Sequence, residues 1–120
     1  MSLWHYTCDH GHERIDGLVV PGASLTTRQI DGPGVLAWFT DLDAPIRDAL
    51  GLTSQILACD RTAHRYRVTD AREVVPWVQV RRLWSWASEI EQAPRVMPRH
   101  WYVAAVSVPV VYDPILVAAS

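Results

Sequence analysis

The sequence predicts an α+β fold: a small, mostly antiparallel split sheet with two or three short helices. Three observations lead there. Apolar and polar residues alternate in short runs, as in Ala63–Thr69, where His64, Tyr66 and Val68 oppose Arg65 and Arg67. The helical stretches are brief and closed by Gly or Pro. Strands and helices are mixed without the regular β-α-β alternation of a parallel sheet. The 120 residues suit a single domain, 1–120, able to bury a core without staples.

In chain order, Met1–Thr7 reads as a strand with Leu3, His5 and Thr7 on one side and Trp4 and Tyr6 on the other. Asp9 caps a helix through Ile15, and Gly17 stops it. Leu18–Gly22 is extended and ends in a turn; 23–33 is a polar loop. Val35–Thr40 is a buried strand. Asp43 and Pro45 open a short helix over Ala44–Leu50, closed by Gly51. Gln55–Asp60 is a further strand. Val74–Val80 is a strand demoted by Pro76 to an edge or a bulge. Arg81–Gln92 forms one helix, with Leu83, Trp86, Ala87 and Ile90 at helical spacing. His100–Val111 is a Val-rich strand interrupted by Pro109, and Ile115–Ala119 a last short one.

Composition narrows the function classes. Hydrophobic residues make up 49% and charged residues 20%, too apolar for a disordered chain. The net charge of −2 argues against a generic electrostatic binder of nucleic acid. No apolar run is long enough for a membrane span, and Met1–His5 has no secretory-leader pattern. Two cysteines, Cys8 and Cys59, make no disulfide framework, so a reduced, cytoplasmic setting is expected. All 11 basic residues are Arg, which fits coding bias and equally the planar gripping of carboxylates or phosphates.

His5, Cys8, His10 and His12 lie within eight residues. Zinc is disfavoured: no second ligand pair follows, and on a helix His10 and His12 point to different faces. Cys8 at a helix start, with His5 nearby, admits thiolate chemistry. No G-x-S-x-G and no phosphate-binding G-x-x-x-x-G-K-[ST] occurs.

Leu3-Trp4-His5-Tyr6-Thr7 and the later Gly34–Asp41, ending Ala37-Trp38-Phe39-Thr40-Asp41, together resemble the first two motifs of the ADP-ribosyltransferase-like fold, in its His-Tyr-Glu branch. A short helix followed by Gly17-Leu18 and Pro21 is similar to toxin members. The resemblance covers about the first 45 residues and, weakly, the last 25. It implies NAD as substrate. His5 would bond a ribose hydroxyl, Thr7 would help hold nicotinamide or ribose, and Trp38 would stack on nicotinamide, flanked by Phe39 and Thr40. It implies transfer of ADP-ribose to a protein or nucleic-acid acceptor, or cleavage of NAD. The family's late glutamate is missing: Arg99-His100-Trp101-Tyr102-Val103 stands in its place. His100, with Arg61 among several available arginines, is the expected substitute. The competing expectation is a non-catalytic module of the same fold that binds a nucleotide or a partner.

Overall fold

A computed structural model describes residues 1–21, 35–50 and 61–115. It is α+β. Seven strands, β1 (Trp4–Thr7), β2 (Leu18–Val19), β3 (Ala37–Thr40), β4 (His64–Val68), β5 (Val75–Pro76), β6 (Trp101–Ala104) and β7 (Val108–Tyr112), form a curled sheet. The order is β2-β7-β4-β1-β3-β6-β5, every pair antiparallel. Among the described residues, four short helices, α1 (Asp9–Arg14), α2 (Arg47–Leu50), α3 (Trp77–Val80) and α4 (Ala87–Ile90), and two 3-10 turns, Arg81–Leu83 and Pro98–His100, accompany it. No described helix is long and apolar enough to cross a membrane.

The sheet is joined unevenly. β1 pairs with β4 through four residue pairs, and β3 with β6 through four. Between β1 and β3 there is a single pair, Trp4 opposite Thr40. That seam divides the sheet into β2-β7-β4-β1 and β3-β6-β5.

Side chains alternate along each strand, and residues directly opposite share a face, so the registers assign the two faces. Trp38, Thr40, Trp101 and Val103 lie on one face with Trp4 and Tyr6. His5, Thr7, Phe39, His64, Tyr66, Tyr102 and Tyr112 lie on the other. Each face has its own core. The first packs Leu36, Trp77, Ala87, Trp101 and Val103 with Trp38, Trp84 and Trp86. The second packs Val19, Ala37, Phe39, Tyr66, Ala104, Val108 and Val110.

Several expected elements are corrected. Val74–Val80 is a strand only at Val75–Pro76; from Trp77 it is helical. Pro76 does sit on an edge strand, where a missing N–H breaks no interior ladder. The single helix over Arg81–Gln92 is broken at Trp84, whose backbone is extended (φ −126°, ψ 133°). A continuous helix would send Trp84 and Trp86 to different sides. The break lets both rings stack against Trp77, with centroids at 5.8 and 5.7 Å, and against each other at 5.5 Å. The long C-terminal strand is two, β6 and β7, parted at Ala105–Ser107. The cap of α1 is Cys8, one residue before the expected Asp9. Gly17 has φ +73°, a conformation that favours glycine. The strand expected over Gln55–Asp60 and residues 116–119 of the last one lie outside the described residues.

Candidate functional site at the sheet seam

At the seam a side chain takes the place of the ladder. The His5 Nδ1 lies 2.7 Å from the Trp38 carbonyl oxygen. A carbonyl only accepts, so Nδ1 carries the proton and Nε2 keeps its lone pair. Burial is the main influence on the ring and holds its pKa below the ordinary histidine value, while the bond to Trp38 pulls modestly the other way. His5 is therefore a neutral imidazole near pH 7. Its Nε2 has no partner among the described residues and can accept a hydrogen bond from an O–H or N–H donor.

Thr7 follows on the same face, as its spacing predicts. Helix α1 passes close by: a Cβ on Gly11 would collide with the Thr7 Oγ1, so the glycine lets the helix run alongside this hydroxyl. Phe39 is on this face too, its ring 5.7 Å from that of His5, but it is 3% exposed and belongs to the core.

Trp38 is not on this side. Its indole faces the opposite way and packs within 4.9 Å of Trp77 and 6.0 Å of Trp101, centroid to centroid. The cause is the register: Trp38 is two residues from Thr40, which pairs with Trp4, whereas His5 is one residue from Trp4. The structure thus does not bring the imidazole of His5 and the indole of Trp38 to one hollow. Thr40 shares the indole face, is 2% exposed, and its Oγ1 accepts the Leu42 N–H at 3.1 Å.

His100 closes the 3-10 turn before β6 and meets Asp41, which follows β3. Its Nδ1 is 2.6 Å from Asp41 Oδ1, and its Nε2 accepts the Arg99 Nε–H at 3.2 Å. The other carboxylate oxygen of Asp41 accepts the Tyr102 O–H at 3.4 Å. Burial, with Asp41 adding to it, raises the pKa of Tyr102. Tyr102 lies opposite Phe39, so the Asp41–His100 pair is reached from the face of His5. Such a pair, with a carboxylate on Nδ1, fixes the ring with Nε2 as its acceptor nitrogen, which here receives the Arg99 N–H.

Arg61 stands apart from this pair. It precedes β4 at the end beside Thr7, whereas His100 and Asp41 lie at the Trp4 end. Arg65 and Arg67, on the strand face opposite Tyr66, are held by partners from other segments. Arg65 donates to the carbonyls of Asp43 and Asp113, and its guanidinium lies 4.1 Å from the centre of the Trp4 ring. Both arginines pair with Asp113, at 3.2 and 3.4 Å, while Asp70 pairs with Arg72.

Sequence reasoning gave Asp41 no role beyond closing the second motif and did not single out Tyr102. Their signal is positional: the acid directly after a strand meets the histidine directly before the neighbouring antiparallel strand. No group of three or more His, Cys, Asp or Glu residues among those described could hold a metal ion. Comparison with known proteins finds no matching family, no matching curated relative and no matching solved structure.

Proposed function

We propose that this chain binds NAD, or a related ribosyl nucleotide, on the imidazole face at the β1–β3 seam, as an ADP-ribosyltransferase-like protein. One observation carries the reading. The His5 ring is anchored through Nδ1 to the Trp38 carbonyl and offers Nε2 as an acceptor, the function needed to hold a ribose hydroxyl. Thr7 adds a hydroxyl on the same face. The ligand class comes from the resemblance of the two motifs. Stacking of nicotinamide on Trp38 is not part of the proposal, because that ring packs on the other face.

In this reading NAD is the substrate and the nicotinamide–ribose bond is the one cleaved. His100, oriented by Asp41, takes the proton from the attacking protein or nucleic-acid group, or from water, once the exposed Arg99 side chain has released its Nε2. Arg61 is assigned no step, since its backbone lies before β4 at the Thr7 end of the strands.

Calorimetry with NAD, together with chromatography of released nicotinamide, tests this. Binding weakened about tenfold or more by His5→Ala supports the site, since a hydrogen bond with ordering around it is worth about that much. Release lost in His100→Ala with binding retained supports the chemistry. No binding at millimolar NAD overturns both.

A second reading is a non-catalytic module of the same fold that recognises a nucleotide or a partner. The observation favouring it is that Trp38 is committed to packing. Binding without nicotinamide release, unchanged by His100→Ala, would decide for it.

A further inference from the structure

The densest cluster of titratable side chains lies away from the seam, where α1 meets β4 and β7. The Nε2 of His64 is 2.6 Å from Asp9 Oδ1, and its Nδ1 is 3.0 Å from the Tyr112 hydroxyl. Asp9 can only accept as a carboxylate, so in the neutral ring Nε2 carries the proton and Nδ1 accepts the phenolic O–H. The His64 ring is further fixed by His12, stacked on it at 4.0 Å with the planes 6° apart. His12 is itself held by the Tyr66 hydroxyl. The order carboxylate, imidazole, hydroxyl is that of an activated nucleophile: a base within reach of an O–H, oriented by an acid.

Exposure separates this cluster from a purely structural network. The His64 side chain is 19% exposed, whereas Tyr112 is 47% exposed and reachable from solvent. We propose that Asp9, His64 and Tyr112 form a second reactive site, in which the Tyr112 oxygen attacks the carbonyl carbon of an activated ester. The phenolic proton passes to His64 Nδ1 as the new O–C bond forms. The C–O bond to the leaving alcohol then breaks, and that alcohol departs with the proton from His64. The products are an acyl ester on Tyr112 and the free alcohol. Water activated by the same imidazole returns the phenol and releases the carboxylic acid. Tyr112 is the nucleophile, His64 the base and Asp9 a positioning residue.

The probe is p-nitrophenyl acetate with the full chain, read as p-nitrophenolate release and as the acetylated residue by mass spectrometry. The expected result is acetyl on Tyr112 at about ten times the rate on Tyr102, with a loss of about tenfold or more in His64→Gln, in line with the usual contribution of a positioned base. Tyr112→Phe removes the modification. Asp9→Asn slows it, because the ring loses the acceptor that orients it, while Asp9→Glu restores the rate. Acetyl spread evenly over tyrosines, or Tyr112 labelling unchanged in both Asp9→Asn and His64→Gln, overturns the proposal. Asp9 is 83% exposed, so its variants decide the matter even where His64→Gln fails to fold. His64 is the cross-strand partner of Thr7, so the labelling is run without NAD and its outcome does not depend on whether NAD binds.

Discussion

The two faces of this sheet are built from the same strands and do different things. On one, Trp38, Trp77, Trp84, Trp86 and Trp101 pack into a tryptophan cluster roofed by α3 and α4. On the other, His5, Thr7, His64, Tyr66, Tyr102 and Tyr112 place hydrogen-bonding groups beside a Val-rich apolar core. Aromatic content alone does not separate them. What separates them is whether the ring carries a polar atom that the surroundings leave able to act. Trp77 is fully buried and its Nε1 has no partner among the described residues, so that ring serves packing. His5 is anchored at one nitrogen and open at the other.

The sharpest way to break this contrast is Trp77→Ala, which should destabilise the fold by about 3–5 kcal/mol in denaturant unfolding, as large-to-small changes in cores do. Trp77→Phe should cost clearly less, because no hydrogen bond from its indole N–H is lost. Trp38→Phe should lower stability yet leave the proposed NAD binding within about twofold of the parent, a change of a few tenths of a kcal/mol. A large loss of NAD affinity in that variant would show that the two faces communicate.

Acid titration sharpens the comparison next. The pKa of His5 is lowered in the fold, so between that value and the ordinary 6.5 the unfolded chain binds more protons than the folded one. Stability should therefore fall as pH drops below about 6.5 and be unaffected by His5 above it. His5→Gln should flatten that part of the urea-midpoint profile. The smallest effect belongs to the exposed pair Asp70–Arg72. Its hydrogen bonds lower the Asp70 pKa, but Arg72→Ala should leave the unfolding midpoint within experimental scatter.

Much of the fold was legible because alternation is a local property. His5 and Thr7 were placed on one side of a strand, and Pro76 on an edge, from spacing and chemistry alone. The relation between His5 and Trp38 was not legible. It depends on which residue of β1 pairs with which residue of β3, and a shift of one residue exchanges the faces. The Arg81–Gln92 helix failed for a similar reason. Its apolar spacing fits a helix, but stacking of Trp84 and Trp86 on the distant Trp77 overrides it. The side-chain type alone points to His100, but its carboxylate, Asp41, is 59 residues away and meets it only through the pairing of β3 with β6.

The thin joint between β1 and β3 has a mechanical consequence. Strands β1 and β3 meet there through one ladder pair and one imidazole, with Tyr6 and Arg65 donating to the carbonyls of Leu42 and Asp43 just beyond β3 and apolar layers above and below. A small molecule gripping that imidazole would act as a rivet across the joint. Its occupancy would then be felt as far out as the rim strands β2 and β5, as slower amide exchange and a melting temperature that climbs with ligand concentration.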